Sequence, residues 1–344
     1  MSAGLSSDQI VKNEIIEELG FNKEDVELRI FPEGSNDDQK LFQNGGLTFG
    51  FNNVEYGSCD AAWYRENTTW IDGYNDKKIN EKPIIALEGT DALQRGSSGN
   101  AQYQRFHHAL GAVKNGLIGV YYLKPGKLKV QPDLYGMAYF ASKYEKGTYL
   151  IIQNLGIIDE LLDIYVKYGE QSKELRKFLE ECIDDMYNIW YREKFSQYNY
   201  DWSVFDDKRS TTIKNNIVIK YAGRNKRGFT DSTQRSGHIA VGEMYLTKYY
   251  HLGKKFYYLF PRFTHQDIID LDNGKKNDKE WYLLRHEPDV FIKTMDDLKG
   301  LPLNIKNKLL KIKDEPLNGE ALKIYTECSN IIFEMIKNDE IEII

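Results

Sequence analysis

A strand, a helix and a second strand follow one another in the first half of the chain, and this order limits its folds. Residues 84–87 are a continuous apolar run, as in a strand that is covered on both faces. A helical pattern follows, with Ser98 as its predicted cap and Asn-Gly at 115–116 as its end, before the apolar strand 118–122. The short turn after the helix implies a parallel pair joined by a right-handed crossover. The pattern therefore predicts an α/β core.

The flanking patterns extend this core in both directions. Residues 7–19 predict an amphipathic helix, and residues 47–74 contain three β-prone segments separated by turn residues. Downstream, residues 149–152 predict a strand, and residues 157–168 and 172–195 predict helices. We expect a core domain at 1–170 and an α+β extension at 171–344.

Composition narrows the class of protein. Hydrophobic residues make up 41% of the 344 residues, enough for a sizeable core. Cys59, Cys182 and Cys328 lack metal-ligand spacing, and an odd, sparse set fits a reducing compartment. The N-terminus shows no signal-peptide pattern, and no apolar run approaches the roughly 18 residues of a membrane span. These features predict a cytoplasmic protein that does not act in a membrane.

Acidic and amide side chains occur at the ends of the predicted elements. Asp60 opens an apolar segment, Glu88 ends the strand at 84–87, and Gln102 and Gln104 lie in the predicted helix. Two carboxylates at the ends of adjacent strands are able to hold a hard divalent cation such as Mg²⁺. A cation held in this way activates water and stabilises displacement at phosphorus. Asp91 is expected to serve the following turn, although it could face the same metal ion.

The motif Gly57-x-x-Asp60, Glu88-x-Thr90 and Gln102-x-Gln104 resembles the PD-(D/E)xK nuclease superfamily, which includes most type II restriction endonucleases. The resemblance covers about residues 55–123 and implies a restriction-endonuclease-like mixed central sheet flanked by helices. It implies that Asp60 and Glu88 bind the metal. Thr90 would occupy the position of the catalytic lysine, and Gln102 or Gln104 would be the supporting helix residue. Glu55 is a further candidate ligand or orienting group.

Two positions depart from the family pattern. Cys59 replaces the usual proline, which only stiffens the approach to the strand. Thr90 replaces lysine, whose ammonium helps to position the attacking water and to neutralise developing charge. Lys82, Lys114 or a second metal ion would then have to supply the missing charge, or the protein would be inactive.

Two polar segments are candidates for contact with nucleic acid. Arg95, Ser97 and Asn100 lie in a glycine-bearing stretch before the predicted helix, where backbone N–H groups can hold a phosphate. The chain has a net charge of −6, yet residues 208–227 carry seven basic side chains and no acidic one. Arginine and glutamine suit the edges of bases, and lysine suits phosphates. The predicted recognition residues of this second region are Arg224, Lys226, Arg227, Gln234, Arg235 and His238.

Together these patterns favour a Mg²⁺-dependent endonuclease that cleaves double-stranded DNA at a specific sequence. Asp60, Glu88, Thr90 and Gln104 are its predicted catalytic residues, and the extension would serve recognition and dimerisation. The resemblance implies a homodimer that matches the two-fold symmetry of DNA. Two alternatives stay open. One is a nuclease-like DNA-binding protein without catalysis, and the other is a glycoside hydrolase with a carboxylate pair.

Overall fold

The computed structural model divides into two compact units, Met1–Gln197 and Tyr198–Ile344. It describes residues 7–20, 23, 25–31, 47–51, 54–65, 83–94, 102, 105–198, 211–221, 248, 253–260, 264–266, 269, 287, 289–311 and 319–338.

The first unit is built on a five-stranded mixed sheet in the order β1-β4-β5-β6-β7. β1 and β4 pair antiparallel, as do β4 and β5, whereas β5, β6 and β7 are parallel to one another. β2 and β3 form a separate antiparallel pair. The strands are β1 (Val26–Ile30), β2 (Leu47–Phe51), β3 (Val54–Cys59), β4 (Ala61–Arg65), β5 (Ile85–Thr90), β6 (Ile118–Leu123) and β7 (Thr148–Ile152).

Helices cover this sheet because small residues let them approach closely. The helices are α1 (Ser7–Leu19), α2 (Phe106–Lys114), α3 (Pro132–Tyr144), α4 (Gly156–Tyr168) and α5 (Lys173–Tyr198). A Cβ atom on Gly119 of β6 would lie 2.4 Å from the Ala109 carbonyl of α2. On β5, a Cβ atom on Gly89 would lie 2.3 Å from Val11 of α1. The predicted α/β class, with a mixed sheet flanked by helices, is therefore confirmed.

The predicted crossover is present in the structure. β5 and β6 pair in parallel through α2, which ends at Lys114, and Gly116 follows with a φ of +85°. The helix begins later than predicted, with Arg105 as its N-cap. The predicted cap, Ser98, lies outside the described residues. The third β-prone segment expected within residues 47–74 also begins beyond the part of that region that the structure describes.

α5 belongs to the first unit, whereas the sequence placed the domain boundary near residues 168–172. Its apolar stripe packs against the first unit: the N–H of Ile151 on β7 lies 3.4 Å from Met186 Sδ. Trp190 also contacts Phe140 of α3 edge to face, with ring centroids 5.3 Å apart. The helix itself was predicted from the sequence, but the elements that it packs against were not.

The second unit contains a four-stranded sheet in the order β11-β10-β9-β8. β8 and β9 pair antiparallel, and β9, β10 and β11 are parallel. Two helices contribute Ile305, Leu309 and Ile332 to a core that they share with Tyr257 and Leu259 of β10. The elements are β8 (Thr211–Lys214), β9 (Ile217–Tyr221), β10 (Lys255–Phe260), β11 (Val290–Thr294), α6 (Leu303–Lys311) and α7 (Gly319–Lys337). Within the described ranges, no helix is long and apolar enough to span a bilayer.

Candidate active site

Asp60 and Glu88 lie next to each other where β4 begins and β5 ends. Asp60 occupies a bend between β3 and β4, and its backbone N–H donates to the Leu87 carbonyl at 2.8 Å. Because Ala61 pairs with Leu87, the next position along each strand brings Asp60 beside Glu88. The carboxyl ends of parallel strands are where open α/β sheets bind ligands. The two predicted metal ligands therefore lie at the edge of the sheet that suits a functional site.

The carboxylate of Asp60 is buried and held from two sides. Its Oδ2 atom accepts a hydrogen bond of 3.0 Å from the backbone N–H of Gly89. Its Oδ1 atom lies 3.3 Å from Nζ of Lys12, whose side chain is only 10% exposed. Lys12 reaches this position because α1 packs Val11 against the bare backbone of Gly89. A helix remote in sequence thus supplies a cation to the candidate site.

Glu88 is the more deeply buried of the two acids, with a side chain 1% exposed. Arg105 donates from Nη1 to Glu88 Oε1 at 2.8 Å, and His108 Nδ1 lies 3.2 Å from Oε2. The His108 ring fits because Gly57 has no Cβ atom, and a Cβ atom there would lie 2.4 Å from the ring. Gly57 also has a φ of +104°, which few other residues adopt. The glycine of the sequence motif therefore makes room for a histidine that contacts Glu88.

The charges of Asp60 and Glu88 both raise the pKa values of two neighbouring side chains, Cys59 and Tyr121. Burial raises the pKa of the Cys59 thiol well above its usual value, and the charges of Glu88 and Asp60 raise it further. Burial likewise raises the pKa of Tyr121, Arg105 opposes this shift, and the two acids add to it. Tyr121 also donates a hydrogen bond of 3.0 Å to the Gln102 carbonyl. Both groups are therefore neutral near pH 7.

The donor chemistry of the pair fits a hard divalent cation. Mg²⁺ is commonly held by one or two carboxylates, retains several waters and takes further oxygens from substrate phosphates. Asp60 and Glu88 supply that number of carboxylates from adjacent strands. Within the described part of the chain, no group of three or more histidine, cysteine and acidic side chains is arranged to hold a metal ion. Among the described residues, the site therefore offers two carboxylates, each of which now contacts a cationic side chain.

Thr90 and Asp91 are both buried at the end of β5. Thr90 lies two residues beyond Glu88 on the same strand, so both side chains project from the same face. Its hydroxyl accepts a hydrogen bond of 3.3 Å from the N–H of Ala92. The Asp91 carbonyl accepts a hydrogen bond of 2.8 Å from the N–H of Gln94, so a turn begins at Asp91.

The predicted role of Gln102 as a residue of the supporting helix is wrong. Gln102 precedes α2, and its side chain spans another loop: Nε2 donates to the Lys129 carbonyl at 3.0 Å, and Oε1 accepts from the N–H of Gln131 at 2.8 Å. Since both ends of the amide hold backbone groups, Gln102 anchors the segment before α3. Gln104, the other candidate, lies outside the described residues.

The predicted nucleic-acid contacts fall on parts of the chain that the structure does not describe. This applies to Arg95, Ser97, Asn100, Arg224, Lys226, Arg227, Gln234, Arg235 and His238. Glu55 lies on β3, but its side chain is not described, and Lys82 is also outside the described residues. Lys114, a predicted alternative source of positive charge, pairs instead with Glu145 at 2.9 Å.

Three residues of the site were not predicted from the sequence, namely Lys12, Arg105 and His108. A lysine directly after a buried valine in α1 gave no signal of its own, because lysine is common on helices. His108 had one available signal: it follows His107 on a helix entered from a polar loop. In the structure, His108 contacts Glu88.

Comparisons of the chain with protein-family models, with curated proteins and with solved structures gave no match.

Proposed function

We propose that the protein is a cytoplasmic, Mg²⁺-dependent endonuclease that hydrolyses phosphodiester bonds of double-stranded DNA. One observation carries this proposal: two buried carboxylates, Asp60 and Glu88, lie side by side at a strand end, each with a cationic side chain in contact. Two acids and nearby cations form the kind of site that binds a divalent cation and a phosphate together. The sequence resemblance to PD-(D/E)xK nucleases assigns the same two acids to metal binding.

Each residue of the site has a distinct role in this proposal. Asp60 and Glu88 hold the cation, which when bound activates water and stabilises charge on the phosphate. Gly89 orients Asp60 through its N–H group at 3.0 Å. Lys12, fixed by α1, places a positive charge beside the acids, where it neutralises charge that develops on the phosphate. His108 lies beside the second oxygen of Glu88, at 3.2 Å.

Lys12 accounts for the departure of Thr90 from the family pattern. In the resemblance, the lysine that assists the reaction lies two residues beyond the acidic residue, at the position of Thr90. In this chain an ammonium group reaches Asp60 from α1 instead, at 3.3 Å. The site therefore retains a lysine, although another element of the fold supplies it.

The contacts of the acids disfavour a glycoside hydrolase. Such an enzyme needs one carboxyl group that donates a proton to the leaving oxygen. Here the Glu88 carboxylate accepts from the guanidinium of Arg105 at 2.8 Å, and that of Asp60 lies 3.3 Å from the Lys12 ammonium. Carboxylates that face cationic donors are suited to holding charge rather than to delivering protons.

We assign recognition of DNA to the basic segment of the second unit, on the basis of its sequence. Replacing Arg224, Lys226, Arg227 and Arg235 by alanine is expected to weaken DNA binding. Loss of a phosphate contact weakens binding to every sequence. It also flattens the slope of log K against log[salt] by about one unit per contact. Loss of a contact to a base costs about 1–3 kcal/mol on the cognate site alone. Unchanged affinity for cognate and random duplexes would remove this assignment. A homodimer would let two such sites cut both strands.

Plasmid cleavage in Mg²⁺, measured beside DNA binding in EDTA, tests the proposed function. We expect wild-type protein to nick or linearise plasmid only with the divalent cation, and Asp60→Asn to bind DNA without cutting it. Binding without cleavage by the wild-type protein would instead identify a DNA-binding protein that lacks catalysis. If the protein neither binds nor cuts DNA, the proposal is wrong.

A further inference from the structure

The two acids of the site differ in how exposed their cationic partners are. Lys12 lies within α1, is 10% exposed, and is fixed by the packing of Val11 on Gly89. Arg105 is 27% exposed and precedes α2 as its N-cap; besides Glu88, its Nη1 atom lies 3.5 Å from the Gly89 carbonyl. Its partner Glu88 is 1% exposed. Arg105 therefore contacts a buried carboxylate, although its own side chain is more exposed than that of Lys12.

Charge balance shows why this difference matters when a cation binds. Asp60 and Glu88 contribute two negative charges, and Lys12 and Arg105 contribute two positive charges, so these four side chains sum to zero. A divalent cation added to this buried set leaves two uncompensated positive charges, which is costly at low dielectric. Either a cationic side chain leaves the acids or a phosphate supplies negative charge.

We propose that Arg105 is an exchangeable partner of Glu88. It neutralises the buried carboxylate when no divalent cation is bound, and it moves to a phosphate of the nucleic acid when the cation takes its place. Arginine is suited to binding the phosphate because its planar guanidinium group donates to two phosphate oxygens at once. Lys12 stays with Asp60 throughout. This inference rests on the proposed function, and it adds a substrate-binding residue and an order of events to it.

Binding of Mn²⁺ without nucleic acid, measured by calorimetry, tests the first half of the exchange. Arg105→Gln removes the group that competes with the metal ion, so we expect its affinity for Mn²⁺ to rise roughly tenfold. Arg105→Lys keeps the charge and is expected to stay near wild type. Arg65→Gln is the matched control, because Arg65 forms an exposed pair with Glu170 and is expected to have no effect. An unchanged or weaker affinity in folded Arg105→Gln overturns the exchange.

The salt dependence of DNA binding tests the second half. In Ca²⁺, Arg105→Gln is expected to flatten the slope of log K against log[salt] by about one unit, since one phosphate contact is lost. In EDTA the slope is expected to match wild type, because Arg105 then contacts Glu88. The same change in both conditions, or in neither, contradicts the exchange.

Glu88→Gln separates failure of this inference from failure of the proposed function. If Glu88→Gln leaves Mn²⁺ affinity unchanged, the acids are not a metal site, and both proposals fall. If Glu88→Gln weakens Mn²⁺ binding while Arg105→Gln leaves it unchanged, the proposed function stands and only the role of Arg105 is wrong.

Discussion

The two units both bury a glutamate beside a partly parallel sheet, but they satisfy its charge in different ways. In the second unit, Glu287 is 1% exposed and forms an ion pair with Lys248 just before β11. In the first unit, Glu88 is equally buried but lies beside a second acid, Asp60, and each acid has its own cationic partner. In the first unit two acids lie side by side, whereas Glu287 of the second unit forms an ion pair with Lys248.

This difference suggests where function lies. A buried ion pair is weak evidence for stability, and removing one partner is costly because the other charge is left in the protein. Adjacent buried acids add repulsion to that cost, and such sites persist where the arrangement serves chemistry. If the proposed function is right, we expect Glu287 to have a structural role and Asp60 and Glu88 to have a functional one.

The largest expected effect follows from removing one charge in each unit. Glu88→Gln is expected to reduce plasmid cleavage below detection, because a neutral amide holds Mg²⁺ poorly. Glu287→Gln is expected to retain cleavage and to lower the free energy of unfolding by about 3 kcal/mol, because Lys248 loses its buried partner. Urea unfolding and plasmid cleavage of both variants provide the measurement. Near-normal cleavage by Glu88→Gln would reverse the comparison.

Lys12 offers a sharper test of the site in the first unit. Lys12→Gln is expected to slow cleavage by about 10²–10³-fold, a usual loss for one preorganised electrostatic partner. Adding Thr90→Lys to this variant is expected to restore part of the rate, since Thr90 projects from the same face of β5 as Glu88. Single-turnover cleavage of a DNA duplex measures both. If Thr90→Lys alone unfolds the protein, the side chain faces packed core and the lysine position was misassigned.

Replacing one glycine in each unit by alanine compares how tightly the two units are packed at those positions. Gly89→Ala brings a Cβ atom within 2.3 Å of Val11 in α1, so we expect a loss of about 1–3 kcal/mol and slower cleavage as Lys12 shifts. Gly300→Ala meets only the flexible end of Met335 at 3.0 Å and is expected to cost less than about 1 kcal/mol. Urea midpoints give the stabilities. Equal losses would show that α1 is not held by close contact with β5.

The smallest effect concerns the pH dependence of the second unit. Burial acts to raise the pKa of Asp297, but hydrogen bonds from Thr294 and His265 outweigh it and hold this pKa below its usual value. A lowered carboxyl pKa contributes stability that is present above the usual pKa and is lost as the pH falls through the folded-state pKa. Asp297→Asn is therefore expected to flatten the acid limb of the unfolding curve. An acid limb identical to wild type would contradict this.

Much of the fold was predictable because its strands are apolar and its crossover is short. The parallel pairing of β5 and β6, the end of α2 at residues 115–116 and the helix at 7–19 all follow from local pattern. By contrast, α3 (Pro132–Tyr144) was not predicted. In α1, Ile16 is 50% exposed, whereas Val11 is buried. Helical periodicity alone did not fix which residues face the sheet.

The site was predictable only in part, for a physical reason. Asp60 and Glu88 were found because acids at strand ends follow recognisable apolar runs. Lys12 lies 48 positions before Asp60 in the sequence, and only the packing of α1 on Gly89 brings the two together. Gln102 was misread because a glutamine in a loop gives the same sequence signal whether it holds a ligand or backbone groups. Contacts between distant elements leave no local pattern.

The most direct test of the central claim is the anomalous scattering of Mn²⁺ in crystals of the protein. We expect one ion with oxygen ligands from both Asp60 and Glu88, with Lys12 still beside Asp60 and Arg105 no longer bound to Glu88. An ion at this position that contacts both acids would establish the site as a metal centre. If Mn²⁺ binds elsewhere, or not at all, while both acids keep their present cationic partners, Asp60 and Glu88 do not form a metal site.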